Sequence, residues 1–309
     1  MNNFLTENLK KSWTELGYVR IPNFIDAEDI DLLKKEIKKN IQQRFLNHAF
    51  TQHTHRYEKL RFNKDNLLEE SIQNPHAYVW SREVRYAVAK IICNKKIIEI
   101  INFLSGENKK RAIWQSMYFD KSTGTLGHQD TYYLDTIDGG EVNGVLFALE
   151  DFKIDSGPFY VIPKSHVLGP LFKESKNDAD DRFDNHDLYA STLKEFEEKN
   201  FKNVTPQYLK KGEILIWNSL LVHGALEPKD TKLSRKSLTA HYYPIDKDLK
   251  GFKKRPNTSF PKNLNVPIMG YPTEYQNFKE KIKLIIKIIN QSLFKKGIVE
   301  MDMRRDSYK

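Results

Sequence analysis

The chain has 309 residues, of which 39% are hydrophobic, 12% aromatic and 29% charged, with a formal net charge of +9. This composition excludes a low-complexity or disordered chain and is typical of a globular protein. A basic surface attracts anions, but the basic residues here are mixed with acidic ones, and no helix-turn-helix, zinc-finger or RNA-recognition pattern appears. We therefore expect no nucleic-acid partner.

One cysteine, Cys93, excludes an internal disulfide and favours a reducing compartment. The first 11 residues carry charges where a secretory signal has an apolar core. No apolar run approaches the roughly 20 residues of a membrane span. We expect a cytoplasmic protein.

The N-terminal part, residues 1–105, is predicted to be mainly helical. Residues 5–16 favour a helix and residues 17–22 a short strand. Asp26 then stands where a capping residue opens a second helix, and residues 82–104 favour a pair of helices, because apolar residues recur at helical spacing.

From residue 106 to 245 the apolar pattern changes to short strands separated by turns rich in Gly, Pro and Asn, which is typical of a sandwich or jelly roll. The predicted strands are residues 112–119, 143–150, 159–162, 213–217, 219–224 and 235–243. Residues 167–205 form a long polar insertion with a helix near 191–200, and an insertion of this length is typical of a lid. Its acidic segment, residues 177–181, lacks the Gly and terminal Glu of a calcium loop.

His128 and Asp130 are candidate metal ligands, because they would lie on one face of an extended segment. His223 is the most attractive third ligand. Two histidines and one carboxylate leave half of an octahedron open, as non-haem Fe(II) oxygenases require. His53 and His55 form another pair, but their polar surroundings offer no carboxylate at suitable spacing, and we interpret them as part of a solvated or substrate-edge loop.

The last predicted strand places four polar side chains on one face: Arg235, Ser237, Thr239 and His241. We interpret His241 as a core histidine with satisfied hydrogen bonds.

Residues 275–296 predict an amphipathic helix within a C-terminal extension, residues 246–309. Its apolar stripe is Phe278, Ile282, Ile285, Ile286, Ile289 and Leu293, widened by Leu284 and Ile288 and surrounded by lysines. We favour docking of this stripe on the core. Peripheral contact with an anionic membrane is the alternative.

A further set of segments is informative through its order along the chain: residues 17–22, Gln115, and residues 128–130, 148–152, 156–166, 211–217, 221–224 and 235–237. Each segment alone is common. In this order they resemble the phytanoyl-CoA dioxygenase family of Fe(II)/2-oxoglutarate-dependent oxygenases over most of residues 10–245.

The resemblance implies an α+β fold with a mainly β core. That core would be a double-stranded β-helix, a jelly roll, with the N-terminal helices packed on it and a C-terminal helix, in a single domain of residues 1–309. It also implies that His128, Asp130 and His223 bind Fe(II), with the remaining positions left for 2-oxoglutarate and O2.

Further residue roles are implied by the same resemblance. Arg235 would pair with the far carboxylate of 2-oxoglutarate, which a guanidinium binds through two parallel hydrogen bonds. Ser237 would add a hydrogen bond, and Gln115 would touch cosubstrate or substrate. Candidates to face the substrate are Gln129, Tyr133 and His166, the last of them mainly a cap at a strand end.

The sequence departs from the family at two positions of the cosubstrate pocket. Ala225 stands where some members carry Ser or Thr, and Leu146 stands where some carry an aromatic residue. Asp130 occupies the position that halogenases of this fold leave open for chloride, which argues against halogenation.

The implied reaction hydroxylates an unactivated C–H bond of a small molecule and converts 2-oxoglutarate to succinate and CO2. The net charge favours an anionic substrate. Two alternatives remain open: a metal-dependent hydrolase without redox chemistry on the same three ligands, and a non-catalytic module bound to a membrane surface.

Overall fold

The computed structural model describes residues 5–52, 57–172, 185–252 and 256–294. His53, His55 and residues 177–181 lie outside these ranges. The helices are α1 (Glu7–Leu16), α2 (Ala27–Ile37), α3 (Arg82–Ile92), α4 (Lys95–Ser105), α5 (Asp130–Tyr133), α6 (His186–Lys199) and α7 (Glu274–Phe294).

Thirteen strands are present in the described ranges. They are β1 (Tyr18–Ile21), β2 (His48–Phe50), β3 (Tyr57–Lys59), β4 (Ile72–Gln73), β5 (Arg111–Phe119), β6 (Asn143–Ala148), β7 (Phe159–Val161), β8 (Thr205–Pro206), β9 (Ile214–Asn218), β10 (His223–Ala225), β11 (Ser237–Pro244), β12 (Thr258–Ser259) and β13 (Ile268–Met269).

The strands form one large and one small sheet, besides the β2–β3 hairpin. The large sheet has the order β1-β9-β6-β11-β5-β13-β12, with β4 also paired to β5. All of its pairings are antiparallel except that of β13 with β5. The small sheet has the order β10-β7-β8.

Apolar residues alternate between the two faces of the large sheet. On β6, Val145 and Phe147 pack into the cluster that contains the N-terminal helices, whereas Leu146 and Ala148 pack against Val161 of the small sheet. Successive side chains on a strand point to opposite faces, so a strand buried on both faces is apolar throughout. The helices therefore cover one face of the large sheet and the small sheet covers the other, which confirms the predicted jelly-roll class.

The helices begin largely where the sequence predicts. Ser81 accepts a hydrogen bond from the Val84 amide at 3.2 Å and so caps α3. Asp26 does occupy the predicted capping position of α2, but its side chain makes no capping hydrogen bond. The helix in the long insertion starts at His186, earlier than the expected 191.

The C-terminal helix α7 docks on the core by a different face from the predicted one. Leu284 is 2% exposed and joins the main core cluster, with Ile288 packed against it. Of the predicted stripe, five residues are exposed: Phe278 (60%), Ile282 (43%), Ile285 (38%), Ile286 (52%) and Ile289 (49%). The side chain of Leu293 lies outside the described set. No helix in the described ranges is both long and apolar enough to cross a membrane.

Candidate active site

The loop between β5 and β6 carries His128 and Asp130 into the space between the sheets. His128 pairs with His223 of β10 through two backbone hydrogen bonds of 2.9 and 3.0 Å. The sequence analysis predicted that Asp130 continues this extended segment. Asp130 instead begins the single turn of α5. Strand alternation is therefore not the reason that the two side chains meet.

The three side chains nevertheless converge. One ligand atom from each of His128, Asp130 and His223 lies within 4.8 Å of the others. Asp130 Oδ1 is 3.6 Å from Nε2 of His128 and 3.5 Å from Nε2 of His223. Asp130 and His223 are each 3% exposed. Three ligands on one side of a shared point can hold a divalent metal ion and leave its other positions open.

Each of the two histidine rings is oriented by a backbone carbonyl group two residues earlier in the chain. Nδ1 of His128 lies 2.9 Å from the Leu126 carbonyl oxygen, and Nδ1 of His223 lies 2.9 Å from that of Leu221. A carbonyl oxygen only accepts, so Nδ1 carries the proton in each ring. Each Nε2 therefore presents its lone pair, which is the form that binds a metal.

The electrostatics keep the carboxylate charged. Burial alone would raise the pKa of Asp130, but the nearby His223 and His241 lower that pKa well below its usual value. Burial lowers the pKa of His223. Burial also acts to lower the pKa of His128, but Asp130 outweighs it and the pKa is raised. Metal binding requires an ionised carboxylate and neutral imidazoles, so the pKa shifts of Asp130 and His223 favour the metal-binding forms, whereas the raised pKa of His128 favours a proton that a metal ion must displace.

Two further side chains hold the second oxygen of Asp130. Trp217 donates its indole N–H to Oδ2 at 2.8 Å, and Nε2 of His241 lies 3.2 Å from the same atom. Because Oδ2 is engaged in this way, Oδ1 is the oxygen left to face the histidines. His241 is not the satisfied core histidine that we expected, because neither ring nitrogen has a well-oriented hydrogen bond.

A cavity of about 1120 Å³ borders the three ligands. It follows the face of β11, where Thr239 and His241 line it, and reaches Arg235 just before that strand. Its volume is slightly above the roughly 300–1,000 Å³ that is typical of small-molecule sites. There is room for a small dicarboxylate and a second molecule beside it.

Arg235 is a buried cation with no ion-pair partner within 4.0 Å in the described part of the chain, and Glu150 acts on it only from a longer distance. It is 3% exposed, its Cζ lies 5.7 Å from the Phe119 ring and 5.5 Å from the Phe152 ring, and Nε has no hydrogen-bond partner. Burial lowers its pKa to about 10, which leaves the side chain charged at neutral pH. Burying an unpaired charge is costly, so this environment fits an anionic ligand.

The comparisons with known proteins agree with this geometry. Residues 13–237 match the family described as phytanoyl-CoA dioxygenase (PhyH). The chain belongs to this family. Its membership and the His-Asp-His triad together support the predicted enzyme class, an iron- and 2-oxoglutarate-dependent dioxygenase.

Individual phytanoyl-CoA dioxygenase relatives match different shares of the chain. "Phytanoyl-CoA dioxygenase 1" of Oryza sativa subsp. japonica is 32% identical over 143 residues, covering 45% of this chain and 47% of its own length. The Dictyostelium discoideum "Phytanoyl-CoA dioxygenase domain-containing protein 1 homolog" is 25% identical over 272 residues, covering 78% of this chain and 92% of its own length. The match therefore spans about half of the rice relative and most of the Dictyostelium one.

Among solved structures, EctD from S. alaskensis with 2-oxoglutarate and 5-hydroxyectoine has a TM-score of 0.55 and 17% identity, covering 87% of this chain and 89% of that one. At this identity the likeness concerns the fold. It agrees with the jelly-roll arrangement of the two sheets.

The other residues suggested by the family resemblance occupy different places. Gln115 lines the cavity and its Oε1 accepts from Nε2 of Gln73 at 3.2 Å. Tyr133 also lines it, and its hydroxyl lies 3.1 Å from Nε2 of His186 in α6. Ser237 is absent from the lining, and its hydroxyl lies 3.5 Å from Nη1 of Arg235, so it contacts the guanidinium instead.

Gln129 and His166 do not line the cavity. The amide nitrogen of Gln129 donates to the backbone oxygens of Gly169 and Leu220, and its oxygen accepts from the Leu171 amide. This side chain ties the loop of the metal ligands to neighbouring loops. His166 Nε2 lies 3.2 Å from the Thr14 carbonyl oxygen, so it joins a strand end to α1.

Among the cavity residues that the sequence analysis did not identify are Gln73, His76, Trp217 and Lys250. Trp217 stands in a segment that matches the family, but nothing in the sequence indicated its bond to Asp130. The two departures, Leu146 and Ala225, both line the cavity. This part of the wall is therefore aliphatic, without the hydroxyl or aromatic ring that some members have.

Proposed function

We propose that this protein is an Fe(II)- and 2-oxoglutarate-dependent dioxygenase that hydroxylates a C–H bond of a small molecule. One observation carries the proposal: the three ligand atoms and the buried, unpaired Arg235 guanidinium border the same cavity. A metal site alone would suit several reactions. A metal site with a buried cation at the same cavity suits a cosubstrate that both chelates the metal and ends in a carboxylate.

Each residue has a role in this proposal. His128, Asp130 and His223 hold the iron on one side, while Trp217 and His241 keep Asp130 Oδ2 occupied. Arg235 binds the far carboxylate of 2-oxoglutarate, and Thr239, whose hydroxyl lacks a partner, lies along the way. Bound iron, 2-oxoglutarate and O2 together would supply the oxidising chemistry: one oxygen atom would enter succinate as CO2 leaves, and the other would become the hydroxyl group of the product. The protein orients both reactants in a largely apolar cavity that limits water.

The test is the formation of succinate from 2-oxoglutarate by Fe(II)-loaded protein under air, with a panel of small molecules. Succinate should form in an O2-dependent way and increase when a substrate is present. Arg235→Met serves as the diagnostic variant, because a metal-dependent hydrolase on the same ligands has no use for this arginine. Absence of succinate under every condition, together with hydrolysis that survives Arg235→Met, would favour the hydrolase instead.

The insertion at residues 167–205 is proposed to act as a lid over the substrate end of the cavity. Its helix α6 supplies His186, which lines the cavity and meets the Tyr133 hydroxyl. A hydrogen bond between the insertion and the turn that follows Asp130 would couple lid position to the metal site. A cytoplasmic location is part of the proposal, since Cys93 is buried and free.

We also propose that the exposed face of α7 contacts an anionic membrane surface. This face, defined by Phe278, Ile282, Ile285, Ile286 and Ile289, is apolar and has the exposed lysines Lys279 and Lys283 beside it. Apolar burial with lysine attraction to anionic lipid is the basis of interfacial helix binding. The protein should co-sediment with phosphatidylserine vesicles, and a double Ile282→Ser, Ile286→Ser variant should not. Equal sedimentation of the wild type and the variant would contradict the proposed contact of α7 with a membrane.

A further inference from the structure

The cavity is bordered by two side chains with a permanent positive charge, Arg235 and Lys250. Arg235 lies just before the start of β11, and Lys250 lies in the loop after its end, so the two cations are at opposite ends of that strand. In the proposed function Arg235 binds 2-oxoglutarate. Lys250 then remains as a cation that the cosubstrate does not use.

Lys250 is fixed beside the metal ligands. Its ammonium donates to the carbonyl oxygen of Thr131 at 3.0 Å, and Thr131 directly follows Asp130. Its own backbone amide donates to the Asp135 carbonyl oxygen at 2.9 Å, so the loop is tied to the segment that carries the ligand. The position of the ammonium is therefore set by the same segment that sets the position of Asp130.

The ammonium has no ion-pair partner within 4.0 Å in the parts of the chain described above. Lys247, three residues earlier, offers the contrast, because its ammonium pairs with Asp138 at 2.7 Å and with Glu141 at 3.6 Å. An ammonium has three donors and a single carbonyl takes one of them. Lys250 therefore has donors left over at the wall of the cavity.

The surface next to Lys250 is apolar. Phe252 meets Trp114 edge to face, with ring centroids 5.4 Å apart, and both line the cavity. Trp114 belongs to a cluster with Leu134 and Met269, which also line it. A ligand held by the ammonium would lay an apolar body against this wall.

We propose that Lys250 binds an anionic group of the primary substrate, a carboxylate or a phosphate monoester, whose apolar body packs on Trp114 and Phe252. This inference rests on the proposed function, because it assigns Arg235 to the cosubstrate. A lysine ammonium is a point charge that suits either anion, and the apolar wall beside it strengthens the attraction. The substrate class is thus an amphiphilic anion with its reactive carbon close to the anionic end.

The test measures the binding of three probes that share one apolar chain: hexanoate, hexyl phosphate and hexanol. Protein is loaded with Mn(II) and saturated with 2-oxoglutarate, and paramagnetic relaxation of the probe protons reports binding near the metal. Wild type should bind at least one anion about tenfold or more tightly than hexanol, as a charge-assisted hydrogen bond implies. The preferred anion identifies which of the two groups the substrate carries.

Three variants isolate the lysine. Lys250→Gln keeps a donor for the Thr131 carbonyl without the charge and should bind the anions no better than hexanol. Lys250→Arg should keep most of the preference. Lys247→Met, which removes a neighbouring surface cation, should behave like wild type.

The outcomes separate the two proposals. If 2-oxoglutarate shows no relaxation in Mn(II)-loaded wild type, the proposed function fails, and this inference fails with it. If 2-oxoglutarate binds but the anions and hexanol bind equally in wild type, Lys250 is not a substrate anchor. The same conclusion follows if Lys250→Gln retains the anion preference.

Discussion

Replacing Trp217 by Phe should weaken metal binding while leaving all three ligands in place. The change removes the indole N–H that donates to Asp130 Oδ2 at 2.8 Å. Trp217 is 1% exposed, so water cannot easily replace that donor. The carboxylate is then held on this side only by His241, whose Nε2 lies 3.2 Å away without good hydrogen-bond geometry.

The size of the effect follows from the charge on the acceptor. A hydrogen bond to a charged group contributes about 1.5 to 3 kcal/mol. Loss of a residue that orients a metal ligand typically lowers metal affinity by about 10- to 100-fold. Both figures describe the same change here, because the carboxylate that loses its donor is the ligand. We expect Trp217→Phe to fall in that range for Mn(II).

The assay is titration of Mn(II), followed by the electron paramagnetic resonance signal of the free ion. Trp114→Phe is the matched control, since Trp114 lines the same cavity and packs on Tyr243 and Phe252 without touching a ligand. The control should keep wild-type affinity. If Trp217→Phe also binds Mn(II) like wild type, the indole does not position Asp130, and this account of the site's geometry is wrong.

Three further predictions concern other parts of the structure. Arg235→Met should weaken 2-oxoglutarate binding by at least about thirtyfold while Mn(II) affinity stays unchanged, as calorimetry on the Mn(II)-loaded protein would show. Gly144→Ala should weaken Mn(II) binding in the same titration, because the added Cβ would lie 2.1 Å from the Trp217 ring and displace it. Burial lowers the pKa of His76 to about 4, so this ring is neutral when folded. Between about pH 6.5 and pH 4 the unfolded chain therefore binds more protons than the folded one, and stability is lost as the pH falls through this window. In urea unfolding at several pH values, His76→Gln should reduce the loss of unfolding free energy on acidification by up to about 3 kcal/mol. If the variant and the wild type lose the same free energy, the buried His76 is not the cause of this loss.

The sequence predicted the fold well where periodicity decides it. Residues 145–148 of β6 and 214–217 of β9 are all apolar because both faces of these strands are covered, and the helices of the N-terminal part follow their apolar stripes. The prediction of which face of α7 docks on the core was wrong for a related reason. Its apolar residues extend around more of the helix than one docked face needs, and only packing decides that Leu284 is buried and Phe278 is not.

The site was predictable in its residue types and less so in its geometry. His128, Asp130 and His223 meet as expected, but through a bridge and a helical turn rather than through one strand. Trp217 and Lys250 were not identifiable, because their contacts to Asp130 and Thr131 join distant parts of the chain. Such contacts leave no local pattern in the sequence.

The most direct test of the central claim is the visible absorption of anaerobic Fe(II)-loaded protein on addition of 2-oxoglutarate. A metal-to-ligand charge-transfer band should appear with wild type and should be absent with Asp130→Ala. With Arg235→Met the band should need a higher concentration of 2-oxoglutarate. Absence of the band in iron-loaded wild type at saturating 2-oxoglutarate would contradict the proposed function.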